Sequence, residues 1–123
     1  IWGDRNQIQQ VLVNIFLNAT DAMRDQKAPR MDITCCVPPN SGAVRIRVED
    51  SGPGIQKNKL YHVFEPFVTH GKIDGFGLGL FISRMIVEAH NGIIFAESDE
   101  GKGAQITIEL PLSKNGKGSP EKC

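Results

Sequence analysis

Residues 4–25 constrain the fold most, because apolar side chains recur in this segment at intervals of three and four positions. This spacing predicts an amphipathic helix over about residues 5–24. Asp4 followed by Gln7 is typical of an N-cap with a capping box. The predicted apolar face comprises Ile8, Val11, Leu12, Ile15, Ala19, Ala22 and Met23. A helix with so broad an apolar face needs a second layer of structure to pack against.

Three polar residues, Asn14, Asn18 and Asp21, line the edge of that apolar face, since residues three and four apart are neighbours on a helix. A half-buried amide is costly unless it finds a partner. An amide oxygen can ligate a metal, and an amide N–H can donate to a phosphate oxygen. The stripe therefore predicts a polar ligand beside this helix.

The rest of the chain alternates between strand-like and helix-like segments. In residues 43–49, Val44, Ile46 and Val48 alternate with charged residues, which indicates a strand with one covered face. Strands are expected at 31–37, 43–49, 93–98 and 105–110 and helices at 56–63 and 78–90, the last with Phe81, Ile82, Met85, Ile86 and Ala89 inward. These elements predict an α/β fold, a two-layer α/β sandwich with a mixed, mostly antiparallel sheet and helices on one face.

Composition narrows the possible classes of function. The 123 residues suffice for one domain, expected over 1–112, with a polar, disordered tail over 113–123. Fourteen basic and 14 acidic residues give no net charge, which argues against a nucleic-acid or anionic membrane surface. The three cysteines lack metal-ligand spacing and suggest reduced thiols in the cytosol. Because the chain begins at Ile1 without a Met, we expect a piece of a longer protein.

Two glycine-containing segments carry further chemistry. Asp50 ends a predicted strand at the turn Asp50-Ser51-Gly52-Pro53-Gly54, where it is either an ordinary turn carboxylate or an acceptor for the exocyclic N–H of adenine. Gly75-Phe76-Gly77-Leu78-Gly79-Leu80 leads into a helix and is either a hinge or a phosphate cradle. It matches neither a P-loop nor a dinucleotide fingerprint, because the lysine, the preceding strand and the glycine spacing are absent.

The order of these motifs resembles the ATP-binding catalytic domain of sensor histidine kinases. The helix stripe, the Asp50 turn, Phe64-Glu65-Pro66-Phe67 and the glycine segment follow one another as in that family. The resemblance covers residues 2–111 and places the chain in the GHKL superfamily, which also contains gyrase, MutL and a heat-shock chaperone. It implies ATP and Mg²⁺ as cofactors.

The resemblance also implies roles for single residues. Asn18 matches the ligand of Mg²⁺ in the N box, and Asn14 lies beside the metal and the phosphates as a catalytic residue. Asp50 matches the aspartate that binds the adenine amino group, and Lys72 could reach the terminal phosphates as a second catalytic residue. The further nucleotide-binding residues implied are Asp21, Gly52, Gly54, Ile55, Phe64, Phe67, Thr69, Gly75, Gly77, Leu78, Gly79 and Leu80.

The chain departs from the family pattern at two places. The segment Thr69-His70-Gly71-Lys72 is one residue longer than the usual family sequence. Lys72 therefore lies one position later than the lysine of the family pattern. Ala104 follows Gly103 where the family has a Thr or Ser whose hydroxyl supports the adenine-binding carboxylate, so we expect Asp50 to rely more on water. The loop 64–79 is expected to be a mobile lid without nucleotide.

The residue at position 14 separates kinases from hydrolases within the superfamily. ATP-hydrolysing relatives have a Glu four residues before the metal-binding Asn, where it serves as a general base. This chain has Asn14 there, and an amide cannot accept the proton, so slow hydrolysis is expected. Phosphoryl transfer depends mainly on positioning and charge neutralisation, which the remaining residues can supply.

The expected function is therefore donation of the γ-phosphoryl group of Mg–ATP to a histidine in two-component signal transduction. None of His62, His70 and His90 is followed by the acidic residue of a phosphoacceptor motif, so the acceptor is expected on an upstream dimerisation domain. Expected partners are that domain and a response regulator receiver domain, without nucleic acid or direct membrane contact. The isolated domain is expected to be a monomer and the cytoplasmic portion of a homodimeric parent. The alternatives are a serine kinase of the anti-sigma-factor type and an ATP-sensing module without transfer.

Overall fold

The computed structural model describes residues 3–66 and 79–112, and these contain three helices and four strands. In chain order they are α1 (Arg5–Ala22), β1 (Met31–Cys36), β2 (Ala43–Asp50), α2 (Lys57–Leu60), α3 (Gly79–Ala89), β3 (Ile93–Ser98) and β4 (Ala104–Pro111). The strands form one sheet in the order β1-β2-β4-β3, and every pairing within the described residues is antiparallel. The expected α/β sandwich with a mostly antiparallel sheet is confirmed.

Helix α1 begins where the sequence predicts. The Asp4 carboxylate accepts hydrogen bonds from the backbone N–H groups of Asn6 (2.9 Å) and Gln7 (3.2 Å), which otherwise lack partners at a helix start. The helix ends at Ala22, earlier than expected, because Met23 leaves helical geometry at φ −102° and ψ 8°. Its predicted apolar face is the buried one, with Val11 and Ile15 fully enclosed.

The sheet presents one apolar face to the helices. Val44 and Val48 of β2 are buried beside Ile106 and Leu110 of β4, as strand alternation predicts. On the opposite face the Arg45 guanidinium donates to the Glu109 carboxylate at 2.6 Å and 2.9 Å. The β2–β4 register pairs Glu49 with Gln105, so the Asp50 end of β2 lies at the start of β4.

The buried face of α3 differs from the expected one. Leu80, Ser83 and Val87 are buried, whereas Met85 is 54% exposed and Ala89 is also exposed. The side chains of Phe81, Ile82 and Ile86, which were also expected to face inward, are half-buried. Apolar periodicity misplaced the buried face because Ser83 is polar. Its hydroxyl donates to the Gly79 carbonyl at 2.8 Å, so burial leaves no unsatisfied hydrogen-bond donor.

Two expectations from composition concern cysteines and membranes. Cys35 is a free, exposed thiol, but Cys36 is disulfide-bonded, so the expectation of reduced thiols is wrong for Cys36. None of the helices in residues 3–66 and 79–112 has the length and apolar character that crossing a membrane requires. The expected tail over 113–123 lies outside the described residues.

Candidate functional site

Asp50 stands at the end of β2 with one carboxylate oxygen fixed by the backbone. Its Oδ1 accepts hydrogen bonds from the N–H groups of Gly52 at 2.9 Å and Ala104 at 3.3 Å. Its Oδ2 has no donor among the described residues. Burial raises the pKa of the Asp50 carboxyl above its usual value, and the two backbone hydrogen bonds oppose part of that rise. The carboxylate is thus desolvated, oriented and open to a donor at Oδ2.

The backbone N–H of Ala104 is a second donor to the Asp50 carboxylate. The absence of a hydroxyl at position 104 led us to expect reliance on water. The structure shows the backbone N–H of Ala104 donating directly to Asp50, and the reliance on water stays a prediction. A backbone donor is independent of side-chain identity, so this support could not be inferred from the residue type at position 104.

Glycines permit the close approach of the two turns that surround Asp50. Gly54 has φ +79°, and a Cβ there would lie 2.5 Å from the Asp99 carbonyl oxygen. Gly103 has φ +86°, and a Cβ there would overlap the Asp50 carbonyl oxygen. Both positions combine a left-handed backbone with a lack of space, so only glycine fits without rearrangement.

Hydrogen bonds join these two turns directly. The Gly101 N–H donates to the Pro53 carbonyl at 2.7 Å. Ser98 Oγ accepts from the Ile55 N–H at 2.7 Å and donates to the Gly103 carbonyl at 2.8 Å. Sequence reasoning missed Ser98, because a serine at a strand end gives no signal for a partner 43 positions away.

A cavity of about 450 Å³ adjoins these turns. Asp50, Gly103 and Ala104 contribute to its wall, and Lys102 is the one basic side chain among its described lining residues. The remaining lining residues are Glu49, Leu60, Ala96, Glu97, Ser98, Asp99 and Gln105. The Asp50 turn therefore borders open space large enough for a small organic group.

Helix α1 connects this turn to the start of α3. At its C-terminal end, Ala22 approaches Gly52 closely enough that a Cβ there would lie 3.0 Å from the Ala22 carbonyl oxygen. Eight residues earlier, the Asn14 side-chain N–H donates to the Gly79 carbonyl at 3.3 Å and lies 3.5 Å from Ser83 Oγ. Positions 14 and 22 are about 12 Å apart along the helix axis. The polar edge of α1 thus spans the distance between the Asp50 turn and the start of α3.

The other two members of the polar stripe differ in their surroundings. Asn18 is half-buried, and its side chain makes no hydrogen bond to another described residue. Asp21 pairs with Arg24 at 3.3 Å near the surface. Of the stripe, Asn18 is therefore the residue whose amide has no hydrogen-bond partner among the described residues, so its oxygen and N–H are available to a metal or a phosphate.

The donor set suits a magnesium ion carried by a phosphate group. The described residues contain no group of three or more His, Cys, Asp and Glu side chains able to hold a metal ion by themselves. Magnesium keeps several waters and usually takes one or two protein ligands together with substrate phosphates. One or two amide oxygens on the α1 edge fit that requirement.

The structure locates part of the expected nucleotide-binding set. Ile55 and Phe64 are half-buried against the core, Leu80 is buried, and Gly79 is the first residue of α3. Phe67, Thr69, Lys72, Gly75, Gly77 and Leu78 lie outside the described residues, as does most of the expected lid over 64–79. His62 pairs with Glu65 at 2.9 Å on the surface.

Known proteins resemble this chain over most of its length. The family model for the "Histidine kinase-, DNA gyrase B-, and HSP90-like ATPase" matches residues 3–114. The chain is 40% identical to the sensor protein FixL of Bradyrhizobium diazoefficiens over 113 residues, 92% of the chain and 22% of FixL. It is 39% identical to sporulation kinase E of Bacillus subtilis over 115 residues, 94% of the chain and 15% of that kinase. The chain therefore spans less than a quarter of the length of either relative.

Solved structures show the same fold. The catalytic domain of histidine kinase ThkA superposes with a TM-score of 0.74 at 37% identity, over 89% of this chain and 68% of that one. The mycobacterial sensor histidine kinase MprB gives a TM-score of 0.81 at 25% identity, over 98% and 78%. Full-length ShkA in complex with AMPPNP gives 0.73 at 30% identity, over 90% and 22%.

Proposed function

Because this chain belongs to the histidine kinase-, DNA gyrase B- and HSP90-like ATPase family and is the ATP-binding catalytic domain of a sensor histidine kinase, we propose that it donates the γ-phosphoryl group of Mg–ATP to a histidine on a separate domain. The nucleotide lies with adenine at the Asp50 turn and its phosphates toward the start of α3. The polar edge of α1 runs between these two points.

The oriented Asp50 carboxylate is the observation that carries this proposal. Two backbone N–H groups hold Oδ1, and Oδ2 has no described donor, so the carboxylate can accept the exocyclic N–H of adenine. A guanine base presents a carbonyl oxygen at the corresponding edge, and two acceptors would then face each other. The geometry therefore favours adenine nucleotides.

The phosphate end of the proposed site lies between α1 and the start of α3. Asn18 offers a half-buried amide oxygen to the metal, and Asn14 is held beside the first turn of α3 through its bond to Gly79. Magnesium, when bound, neutralises charge on the phosphates. The α3 N-terminus faces the same region with its dipole. Lys72 and the glycines of 75–79 complete the proposed site.

Transfer is favoured over hydrolysis by the chemistry of Asn14. Its amide N–H donates to the Gly79 carbonyl, so the side chain ties α1 to α3. An amide has no basic group to activate water, and the described stripe offers no carboxylate at that position. The site therefore positions ATP for attack by a nucleophile that another domain supplies.

That other domain and the further partners are inferred from the relatives, which are much longer than this chain. We infer an upstream dimerisation and histidine phosphotransfer domain, with a response regulator receiver domain as the next acceptor. The catalytic unit comprises 1–112 and is cytoplasmic. It is a monomer when isolated, whereas its parent is a homodimer that can be anchored in a membrane. It contacts neither nucleic acid nor the membrane.

Calorimetric titration of the chain with ATP, with and without Mg²⁺, tests the proposal. We expect binding of ATP, much weaker binding of GTP, and a loss of affinity of about tenfold or more in Asp50→Asn, because a hydrogen bond to a charged group is replaced. Asp32→Asn on the surface of β1 serves as the matched control. Equal affinity of wild type and Asp50→Asn for ATP would contradict the adenine assignment.

Transfer itself needs a second assay. The chain is mixed with the histidine-bearing domain of its own parent protein and radiolabelled ATP, and we expect label on histidine in that domain. Label on serine of a partner protein, or ATP binding without any transfer, would contradict the kinase assignment in favour of one of the alternatives.

A further inference from the structure

We propose that Ser98 is a positioning residue for base recognition, because it links Ile55 to the peptide unit that orients the Asp50 carboxylate. This inference rests on the proposed function, in which Asp50 binds adenine. Ser98 itself makes no contact with the nucleotide in this proposal. It acts through a continuous chain of hydrogen bonds that ends on Asp50.

The chain of hydrogen bonds has three links. The Ile55 N–H donates to Ser98 Oγ at 2.7 Å, and the Ser98 hydroxyl donates to the Gly103 carbonyl at 2.8 Å. The Ala104 N–H then donates to Asp50 Oδ1 at 3.3 Å. The first two distances are those of good hydrogen bonds, and the third is at the long end of the usual range.

The second and third links share one peptide unit. The carbonyl of Gly103 and the N–H of Ala104 belong to the same planar peptide group, and they point in opposite directions in a trans peptide. No cis peptide is present among the described residues. Fixing the Gly103 carbonyl on Ser98 therefore also fixes the direction in which the Ala104 N–H points, which is toward Asp50.

All three links donate in the same direction, so they polarise one another. A peptide whose carbonyl accepts a hydrogen bond has a stronger N–H donor, and this cooperativity grows in a partly buried environment. Ser98 therefore both orients and strengthens the donor to Asp50. Gly103 has φ +86°, and a glycine restricts its own backbone angles little. The orientation of the Gly103–Ala104 peptide therefore depends on its hydrogen bond to Ser98.

Removal of the Ser98 hydroxyl has two expected effects on Asp50. The Gly103–Ala104 peptide is freer to rotate, so the carboxylate is less well oriented for adenine. The Ala104 hydrogen bond, which opposes the burial-induced rise of the Asp50 pKa, is weakened, so that pKa moves further up. Glu49, Glu97, Asp99 and Lys102 line the same cavity and are unchanged by the substitution.

The experiment compares Ser98→Ala with Ser98→Thr and with Ser41→Ala. Ser41 is a matched control in the β1–β2 turn at the opposite end of β2, where its hydroxyl donates to the Pro38 carbonyl at 2.8 Å and accepts from the Ala43 N–H at 3.2 Å. The affinity for Mg–ADP is measured as a function of pH for each folded variant. ADP titrates identically in every sample, so differences between variants come from the protein.

We expect Ser98→Ala to weaken Mg–ADP binding by about tenfold and to shift the acidic midpoint of binding upward by about half a pH unit. Ser98→Thr retains the hydroxyl and is expected to restore both values, and Ser41→Ala is expected to match wild type. An unshifted midpoint in folded Ser98→Ala would overturn the proposal even if affinity fell. Failure of wild type to bind Mg–ADP would instead overturn the proposed function.

A measurement on the wild-type chain keeps the test independent of folding defects. The amide protons of Ala104 and Ile55 are followed by NMR as pH is lowered. Both are expected to shift with the same midpoint, and neither is expected to do so in Asp50→Asn. If the Ala104 amide proton shifts with pH and the Ile55 amide proton does not, the chain of hydrogen bonds does not transmit the protonation of Asp50, and the proposal fails.

Discussion

At the scale of single residues, Asp50 combines desolvation with fixed orientation. Burial raises its carboxyl pKa, whereas the N–H groups of Gly52 and Ala104 favour its charged form. Buried carboxylates with such opposing influences are frequent at functional sites. The arrangement provides a hydrogen-bond acceptor for a ligand. Burial of the charged carboxylate lowers the stability of the fold when no ligand is bound.

The raised pKa predicts opposite pH dependences for binding and for stability. The folded chain holds its Asp50 proton at higher pH than the unfolded chain, so Asp50 contributes stability that is gained as pH falls through the raised pKa. Over the same interval the acceptor for adenine is lost. We expect acidification to weaken ADP binding while the free energy of unfolding of wild type rises relative to that of Asp50→Asn.

Chemical denaturation and ADP titration across a pH series, on wild type and Asp50→Asn together, check both dependences. The variant lacks the titrating group and provides the baseline. A relative stability that falls on acidification would contradict the sign, because it would require a lowered pKa in the folded chain.

Asn18 is expected to act on the metal-dependent part of binding. Its amide is half-buried and makes no hydrogen bond within residues 3–66 and 79–112, so removing it leaves no described partner unsatisfied. In Asn18→Ala we expect the gain in ATP affinity caused by Mg²⁺ to shrink by about tenfold, with little change in stability. Titrations with Mg²⁺ and with EDTA measure this gain, and Asn6→Ala on the same helix is the control. An undiminished gain would reject the assignment.

At the scale of elements, α1 is fixed at both ends and in its middle. Asp4 caps its first turn, Asn14 bonds to the start of α3, and Ala22 packs against the Asp50 turn. The Asp4 N–H also donates to His90 at the end of α3, at 3.0 Å. Hydrogen bonds thus join α1 to both ends of α3, and α1 also packs against the sheet.

The cap makes a contribution that can be separated from ligand binding. Asp4→Ala removes the carboxylate that accepts from Asn6 and Gln7 but leaves the Asp4 N–H to His90 in place. We expect a loss of about 1 kcal/mol in the free energy of unfolding, without change in ATP affinity. Urea denaturation measures the loss, and Asp25→Ala beyond the helix end is the control. Equal stability of both variants would contradict a capping role.

Elements with a regular apolar period were predictable, and those whose buried face includes a polar residue were not. The face of α1 was predicted correctly because Val11, Ile15 and Ala19 are apolar and buried. The face of α3 was misplaced because Ser83 is buried through its bond to Gly79. Strand alternation located β2 and β4, but the register that sets Asp50 beside Ala104 follows only from their pairing.

At the scale of the whole molecule, one core joins both layers. Ile15 of α1 and Ile108 of β4 are 0% and 1% exposed and belong to the same buried cluster. The site lies along the edge of this core, so its geometry depends on the relative position of helix and sheet. Core substitutions are expected to lower stability, because they remove buried apolar contacts.

Ile15→Ala is expected to reduce the free energy of unfolding by about 2 to 5 kcal/mol, through lost burial and the cavity that remains. Ile33→Ala, the same change at a side chain that is 54% exposed, is expected to cost far less. Urea denaturation of both variants makes the comparison. Similar losses at the two positions would show that the cluster does not determine stability as inferred.

The sequence by itself determined the elements and the residue types of the site. Helical and strand periods located α1 and the four strands, and the order of the Asn14–Asn18 stripe, the Asp50 turn and the glycine segment indicated the family. These features depend on local spacing, which a linear sequence preserves. The family model and the similar structures agree with them.

The tertiary structure decided how the site is supported. The backbone donor from Ala104, the Ser98 link between the two turns and the Asn14 bond to Gly79 join residues 43 to 65 positions apart. Backbone donors have no signature in residue type, and long-range hydrogen bonds arise only when strands pair and helices pack. The identity of the candidate ligand groups is local information, whereas their orientation is a property of the folded molecule.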